Sequence, residues 1–122
     1  MIRNYQDDDY EMVMTWFDAR NMRRVHPKVL SPHGFIIPNV CALWMYPTES
    51  DFIYLENLIS NPDAIRKAES VSSLIDTAIK WALEMDYKFM LSVTDNPSVI
   101  KKAIMKGAKM TSSQTLITFQ LK

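Results

Sequence analysis

The run of elements between Phe52 and Gly107 constrains the fold of this chain more than any other part of the sequence. Phe52 to Ile59 is apolar except for Glu56 and Asn57, which is typical of a strand buried on both faces over part of its length. A long helix is predicted after Pro62, because apolar residues recur there at helical spacing. They are Val71, Leu74, Ile75, Ala78 and Ala82.

The next part repeats this order on a shorter scale. Phe89 to Val93 is a short apolar run that predicts a strand. Asn96 precedes Pro97, which places a capping side chain before proline at the first helical position. Gly107 suits the left-handed residue just past a helix. Asn96 and Gly107 therefore bracket a second helix.

The first part of the chain predicts a strand and an amphipathic helix. Residues 2–5 suit a short strand, and the carboxylates of residues 7–9 suit the N-terminus of a helix. That helix is expected to run to about Asn21, because an apolar stripe falls at positions i, i+3, i+4 and i+7. The stripe consists of Tyr10, Val13, Met14 and Phe17.

The middle of the chain predicts a hairpin after an irregular segment. Residues 22–34 contain two prolines and a glycine and are expected to be irregular, with one short helix. Residues 35–37 and 40–46 are β-prone runs on either side of a Pro-Asn turn. Residues 116–121 alternate apolar and polar side chains and predict a final strand. This order of elements predicts an α+β fold with helices on a mostly antiparallel sheet.

Composition bounds the class of protein. A chain of 122 residues that is 48% hydrophobic can bury one continuous core, so residues 1–122 are expected to form a single domain. Acidic and basic residues number 14 each, which argues against nonspecific binding to nucleic acid or to a membrane surface. The single cysteine, Cys41, and an N-terminus without an apolar signal-peptide core predict a reducing, cytoplasmic location. No apolar run approaches the ~20 residues that span a bilayer.

The order of elements resembles that of the GCN5-related N-acetyltransferase (GNAT) family over nearly the whole chain. Residues 54–62 resemble the family's fourth strand with its terminal proline, and Glu56 occupies a position at which many members carry an acidic residue. The family's next loop has Gln or Arg, two residues, Gly, one residue, and Gly or Ala. Residues 67–72 can be aligned with this loop, with Ser70 and Ser72 replacing the glycines. Trp81 then falls where members often have an aromatic residue.

The resemblance implies a fold and a cofactor. The fold is a mixed, mostly antiparallel central sheet with helices on both faces, and the cofactor is acetyl-CoA as cosubstrate. The fourth and fifth strands would splay to admit the pantetheine arm. The first turns of the long helix would hold the diphosphate, since backbone N–H groups and the helix dipole favour anions there. The expected cofactor-binding residues are Leu58, Ile59, Ser60, Lys67, Ala68, Glu69, Ser70, Val71, Ser72 and Asn96.

Two alternatives stay open in this alignment. Arg66 offers a competing register, which would place Glu69 and Val71 at the glycine positions. The serines at 70 and 72 also have a simpler interpretation, because serine commonly caps a helix.

Residues 96–107 resemble a later signature of the family but depart from it at one functional position. The tyrosine that commonly protonates the departing CoA thiolate falls on Ala103, which cannot donate a proton. Ala108 replaces the aromatic residue that often follows the closing glycine. The resemblance therefore supplies a cofactor cleft but no general acid.

The resemblance implies two functions. The first is an acetyl-CoA-dependent N-acetyltransferase that transfers acetyl directly to an amine of a small molecule or a protein. In it Glu56 takes the amine proton, directly or through water; the alternative is a carboxylate that pairs with a cation at the end of the sheet. The second function is a noncatalytic binding protein that acts on a macromolecular partner, and such reduced forms loosely resemble acetyltransferase-like proteins of bacteriophages. Both a monomer and a homodimer are compatible with the sequence.

The remaining candidate residues favour structural roles. The basic cluster Arg20, Arg23, Arg24 and Lys28 is either a site for an acidic partner or a solvated helix end. The two histidines lack further ligands, so no metal site is expected. Cys41 lies in an apolar run and is predicted to be buried packing rather than a nucleophile.

Overall fold

The computed structural model describes residues 1–109, and these form one five-stranded sheet with three helices. The strands are β1 (Arg3–Asn4), β2 (His33–Ile37), β3 (Cys41–Pro47), β4 (Phe52–Ser60) and β5 (Phe89–Leu91). The helices are α1 (Tyr10–Ala19), α2 (Lys67–Glu84) and α3 (Pro97–Met105), and short 3₁₀ turns cover Asp7–Asp9 and Pro27–Val29. The predicted strand at residues 116–121 lies outside the described residues.

The sheet is mixed and mostly antiparallel. The strand order is β1-β2-β3-β4-β5, with antiparallel pairing throughout except for the parallel pair β4 and β5. The parallel pair follows from α2, which carries the chain from the end of β4 back to the start of β5. The predicted hairpin is present, and its turn closes with the Val40 N–H donating to the Ile37 carbonyl while Asn39 takes a φ of 66°.

Strand β3 is the centre of the core because the sheet is covered on both faces. Alternate side chains of a strand point to opposite faces. Cys41, Leu43 and Met45 pack with α2, whereas Ala42 and Trp44 pack with α1. All five are buried, as expected for a strand covered by helices on both sides. The predicted arrangement of helices on both faces is confirmed.

The predicted helices are present with small changes at their ends. The stripe predicted for α1 packs against the sheet, and Trp16 joins it as a further buried residue. The stripe predicted for α2 is buried against the other face. Irregular structure after α1 contains one 3₁₀ turn, as predicted. No helix among residues 1–109 is long and apolar enough to cross a membrane.

Candidate functional site

A bulge interrupts β4 next to Glu56. Ala42 pairs with Ile59 and Trp44 pairs with Glu56, so β4 contains one more residue than β3 between these pairs. Asn57 provides the left-handed conformation at this point, with φ of 59°. Asparagine adopts this conformation more easily than most residues. The sequence interruption at positions 56 and 57 therefore marks a local break in regular pairing.

Two consecutive hydrogen bonds through the Tyr46 hydroxyl hold the bulge in place, and the sequence alone did not predict them. Asn57 Nδ2 donates to Tyr46 Oη at 2.9 Å, and Tyr46 Oη donates to the Val29 carbonyl at 3.2 Å. Burial raises the pKa of the Tyr46 hydroxyl, and the negative charge of Glu56 adds to this shift. The bonds connect β4 through β3 to the 3₁₀ turn after α1, so they fix the bulge against the rest of the fold.

Strands β4 and β5 pair over a short length only. Their ladder ends at the pair Tyr54 and Leu91, while β4 continues to Ser60. Glu56 lies just past this last pair. The backbone N–H of Val93, two residues past the end of the ladder, lies on the side of Glu56 and lowers the pKa of its carboxyl group. The ladder therefore ends next to Glu56, at the place where the resemblance implies a splay.

The Glu56 carboxyl group has a higher pKa than an ordinary glutamate. The side chain is half-buried, and burial raises its pKa above the usual glutamate value while the Val93 N–H opposes the shift. None of the ion pairs formed by residues 1–109 includes Glu56. The interpretation of Glu56 as the partner of a nearby cation therefore has no partner within the described part of the chain.

The outer edge of β4 carries backbone groups that face the opening. The Asn61 N–H bonds the Val40 carbonyl of the chain at the start of β3, at 2.8 Å. Because a trans peptide points its C=O and N–H in opposite directions, the Ser60 carbonyl points away from β3. Ile59 and Ser60 both pair with β3, but the side chain of Ile59 is buried under α1. Leu58 and Ser60 are thus better placed than Ile59 to contact a ligand.

Arg20 reaches this edge from the end of α1. Its Nε donates to the Ser60 carbonyl at 2.9 Å, and its Nη2 donates to the Ser60 hydroxyl at 2.8 Å. Arg24 of the same basic cluster instead pairs with Asp18 and Glu11. The cluster is therefore a set of separate contacts at the end of α1, and Arg20 is the member that meets the opening.

The N-terminus of α2 is open to a ligand. The helix begins at Lys67, and no side chain caps it from Arg66, which takes a left-handed φ of 54°. Ser70 already donates its N–H to the Arg66 carbonyl, at 3.3 Å, so the N–H groups of residues 67–69 are the ones that precede the helical pattern. Ser70, Val71 and Ser72 lie inside the helix, and Val71 is buried in the core.

Side chains around this helix end have defined partners. Lys67 Nζ donates to the Pro62 carbonyl at 2.9 Å, which directs it back towards the end of β4. Ala68, Glu69 and Ser72 face a groove of about 490 Å³ between α2 and α3. Its other wall carries Lys102, Met105 and Lys106. The groove adjoins three of the predicted cofactor residues, and its lysines were not predicted because they belong to a helix about 30 residues further along the chain.

The lysines of the groove are already tied to neighbours. Lys106 Nζ pairs with Asp76 Oδ1 at 2.8 Å and so joins α3 to α2. Lys102 Nζ donates to the Ser98 hydroxyl at 2.8 Å. Both lysine side chains are partly exposed, so these contacts are weak and either lysine can exchange its partner for a bound anion.

The residues predicted to mark the two ends of α3 have the expected backbone geometry and hydrogen bonds. Asn96 Oδ1 accepts from the N–H groups of Ser98 at 3.0 Å and Val99 at 3.3 Å, and so caps the helix. Gly107 takes a φ of 99°, and the Ala108 N–H donates to the Ala103 carbonyl, which completes a Schellman motif. The Asn96 carboxamide oxygen is therefore used in capping, and only its nitrogen is left for a cofactor.

Cys41 is buried packing, as predicted. The residue is fully buried, and burial raises the pKa of its thiol to about 11. A thiol in this setting is a poor nucleophile because little thiolate forms at neutral pH.

Comparisons with solved structures identify the fold. The chain is similar to a transcriptional regulator from Bacillus halodurans C-125, at 19% identity and a TM-score of 0.74, with 98% of this chain and 99% of the other covered. It is similar to a putative acetyltransferase from Agrobacterium tumefaciens str. C58, at 14% identity and a TM-score of 0.73, with coverage of 98% and 99%.

A third similar structure is a GNAT-family acetyltransferase from Streptococcus pneumoniae TIGR4, at 14% identity and a TM-score of 0.70, with 100% of this chain and 98% of the other covered. Neither protein-family models nor curated protein sequences match this chain. The resemblance read from the residues is thus confirmed at the level of fold: the chain has the GNAT fold.

Proposed function

We propose that this protein is an acetyl-CoA-dependent N-acetyltransferase, a single domain that acts in the cytoplasm and transfers acetyl directly to an amine. The observation that carries the proposal is the end of the β4–β5 ladder, where Glu56 lies in the mouth of an opening lined by the free edge of β4. An acyl-transfer site needs a base beside a narrow slot for the donor, and this arrangement supplies both.

The residues around the opening suit the parts of acetyl-CoA. The pantetheine arm carries amide groups, and the outward backbone groups of Leu58 and Ser60 can bond them as a neighbouring strand would. The diphosphate suits the open start of α2, where the N–H groups of Lys67, Ala68 and Glu69 precede the helical pattern. The groove beyond, with Lys102 and Lys106, leaves room for the nucleotide end.

Two residues oppose this binding in the structure. Arg20 occupies the Ser60 carbonyl and hydroxyl, so a ligand at Ser60 must use the N–H or displace Arg20. The carboxylate of Glu69 lies at the same helix end as the proposed diphosphate position and repels an anion. We therefore expect acetyl-CoA to bind more weakly than it would to a site with glycine and uncharged residues here.

Glu56 performs the proton transfer in the proposed mechanism. Acetyl-CoA supplies the acetyl group as a thioester. Glu56 Oε accepts the proton that the amine nitrogen loses as the new N–C bond forms and the C–S bond breaks, directly or through water. A raised pKa makes this carboxylate a stronger base than an ordinary glutamate. With Ala103 at the usual acid position, the departing CoA thiolate takes its proton from water.

The cofactor site is tested by titrating the protein with acetyl-CoA in a calorimeter, which measures the binding affinity. Ser72→Glu places a carboxylate on the wall of the α2–α3 groove and is expected to lower the affinity at least tenfold. Ser73→Glu is the matched control, because it adds the same charge at the next, exposed position, which does not face the groove. Equal affinities of the two variants would refute the assignment of the groove.

The test of the base is the pH dependence of acetyl transfer, measured as release of CoA thiol with a panel of amines. Glu56→Gln is expected to lower the rate by 10²-fold or more near neutral pH, as is typical for loss of a general base. A rate that matches the unchanged protein across the pH range would remove Glu56 from the mechanism.

The second candidate function is a noncatalytic protein that binds a macromolecular partner. Ala103 favours it, because this residue on α3 cannot serve as the acid. If acetyl-CoA does not bind at all while a protein partner binds tightly, the noncatalytic function replaces the enzyme.

A further inference from the structure

Arg20 holds the end of β4 from the side of α1. Its Nε donates to the Ser60 carbonyl at 2.9 Å, and its Nη2 donates to the Ser60 hydroxyl at 2.8 Å. One planar guanidinium thus makes two bonds to one residue, a geometry that the single ammonium group of lysine does not offer. The Ser60 carbonyl is also one of the outward groups of β4 that the proposed acetyl donor would use. The guanidinium therefore competes with the donor for this carbonyl.

The packing of α1 brings Arg20 to this position. Phe17, three residues before Arg20, is buried in the same cluster as Ile59, the residue that precedes Ser60. Residues three apart share one side of a helix, so the contact that seats α1 on β4 also directs Arg20 to the next residue of the strand. The Arg20 N–H bonds the Trp16 and Phe17 carbonyls at the end of α1. The base of the side chain is thus fixed, although the residue is exposed.

A second cation lies at the same end of β4 and is also bonded to a neutral oxygen. Lys67 Nζ donates to the Pro62 carbonyl at 2.9 Å. Ser60 and Pro62 are two residues apart, so at most about 7 Å of chain separates them. Neither Arg20 nor Lys67 takes part in an ion pair within residues 1–109. Both cations would gain by exchanging a neutral carbonyl for a phosphate, because both partners of the new bond are then charged.

Donors with and without phosphate meet this arrangement differently. A neutral thioester arm that bonds the Ser60 carbonyl must displace the guanidinium, so an ordinary amide bond replaces a charge-assisted bond. A donor with a diphosphate makes the same exchange, but it offers the displaced guanidinium an anionic partner that accepts two bonds. The cost of displacing Arg20 is therefore offset only for the anionic donor.

We infer that Arg20 is a donor-specificity residue, which keeps the Ser60 carbonyl from neutral thioesters and releases it to a thioester that carries phosphate. This inference rests on the proposed use of acetyl-CoA and names the residue that selects the donor of that site. The role differs from the binding of diphosphate by the start of α2, because Arg20 belongs to α1 and acts where the arm of the donor binds.

The test measures the affinities of acetyl-CoA and S-acetylpantetheine for the whole protein by calorimetry. S-acetylpantetheine has the same thioester arm without phosphate. Arg20→Ala is expected to raise the affinity for S-acetylpantetheine about tenfold or more, the scale of one hydrogen bond to a charged group. For acetyl-CoA the variant removes both the competition at Ser60 and a partner of the phosphate, so the two effects oppose each other. The ratio of the two dissociation constants is therefore expected to fall about tenfold.

A matched variant shows whether the contact or the charge sets this ratio. Arg23→Ala removes an arginine from the same basic cluster at an exposed position, and Arg23 is not a donor to Ser60. It is expected to leave the ratio unchanged. Because each ratio is measured on one protein, a loss of folded protein lowers both affinities and cancels. An equal fall of the ratio in both variants would contradict the inference, since net charge would then explain it.

The outcomes separate this inference from the proposed function. If acetyl-CoA binds the original protein and Arg20→Ala leaves the ratio unchanged, only the inference fails. A loss of acetyl-CoA affinity in Arg20→Ala with unchanged binding of S-acetylpantetheine also overturns it, because Arg20 would then bind phosphate without guarding Ser60. If acetyl-CoA binds neither the original protein nor Arg20→Ala, the proposed function fails and this inference fails with it.

Discussion

Gly34 is the position at which the smallest change is expected to have the largest effect on the fold. It pairs with Trp44 across β2 and β3, and the fully buried indole lies over it. A Cβ added at Gly34 would lie 2.6 Å from Trp44 Nε1, 2.7 Å from Trp44 Cδ1 and 2.8 Å from Tyr5 Cβ. Ordinary contacts between such atoms are about 3.5–4.0 Å, so Gly34→Ala overlaps three atoms by about 1 Å.

None of those atoms moves easily. Trp44 packs against the Tyr5 ring with centroids 5.0 Å apart, and Tyr5 Cβ is attached to the backbone beside β1. Overpacking of a core costs about 1–3 kcal/mol. Gly34 lacks a left-handed φ, so replacing glycine also restricts the unfolded chain and returns about 0.4–1 kcal/mol. The net loss lies between about 0 and 2.6 kcal/mol. At roughly 3–6 °C per kcal/mol for a chain of this size, the middle of that range, about 1.3 kcal/mol, lowers Tm by about 4–8 °C.

The assay is urea and thermal unfolding of Gly34→Ala alone and combined with Trp44→Phe. The smaller ring removes the nearest contact atom, so the double variant is expected to lose less stability than the sum of the two single variants. Gly107→Ala is the control, because nothing lies within 4 Å of its added Cβ and its cost comes from a φ of 99° alone. A Gly34→Ala protein as stable as the original, or additive losses with Trp44→Phe, would refute the steric reasoning.

Two further predictions concern titratable groups. The Arg3 guanidinium donates to both carboxylate oxygens of Asp9, and together with the Gln6 N–H it holds the pKa of Asp9 below its usual value. The ionised carboxylate therefore stabilises the fold above about pH 4, and this stabilisation is lost as the pH falls through the lowered pKa. Asp9→Asn is therefore expected to lower the urea midpoint at neutral pH, with a gap to the original protein that narrows near pH 3; a gap that is constant with pH would contradict this. Cys41 is expected to react with a disulfide reagent only after unfolding, because its thiol is buried and its pKa is raised to about 11, and rapid labelling at pH 8 under native conditions would show that β3 opens.

The elements that the sequence predicted correctly are those whose causes lie within a few residues. The stripe of α2 has a 3.6-residue period, and its residues pack as one face. Asn96, Pro97 and Gly107 mark the ends of α3 because capping is a local hydrogen-bonding requirement. The polar residues Glu56 and Asn57, which interrupt the apolar run of β4, coincide with an irregularity in the strand. Its form, a bulge with one left-handed residue, depends on pairing with β3.

The parts of the site that could not be predicted from the sequence are contacts between residues far apart in the chain. Arg20 and Ser60 are separated by 40 positions, and no local pattern predicts that one guanidinium will bond that carbonyl. Lys106 meets Asp76 over 30 positions. The start of α2 was aligned by family spacing with a loop, yet the helix begins at Lys67 and already includes Ser70 and Ser72. The left-handed conformation falls on Arg66 instead, since the turn precedes the helix.

In the proposed reaction the two ligands would meet different parts of β4, and this would make their binding separable. A donor at the outer edge of β4 contacts backbone groups, so its affinity depends on the splay and on the start of α2 rather than on side chains of the sheet. The acceptor amine of the proposed reaction would meet the Glu56 side chain instead. Ala103 lies on α3 and belongs to neither part. We therefore expect Glu56→Gln to retain both binding equilibria while acetyl transfer falls, whereas a joint loss of binding would show that Glu56 holds the opening together instead of moving a proton.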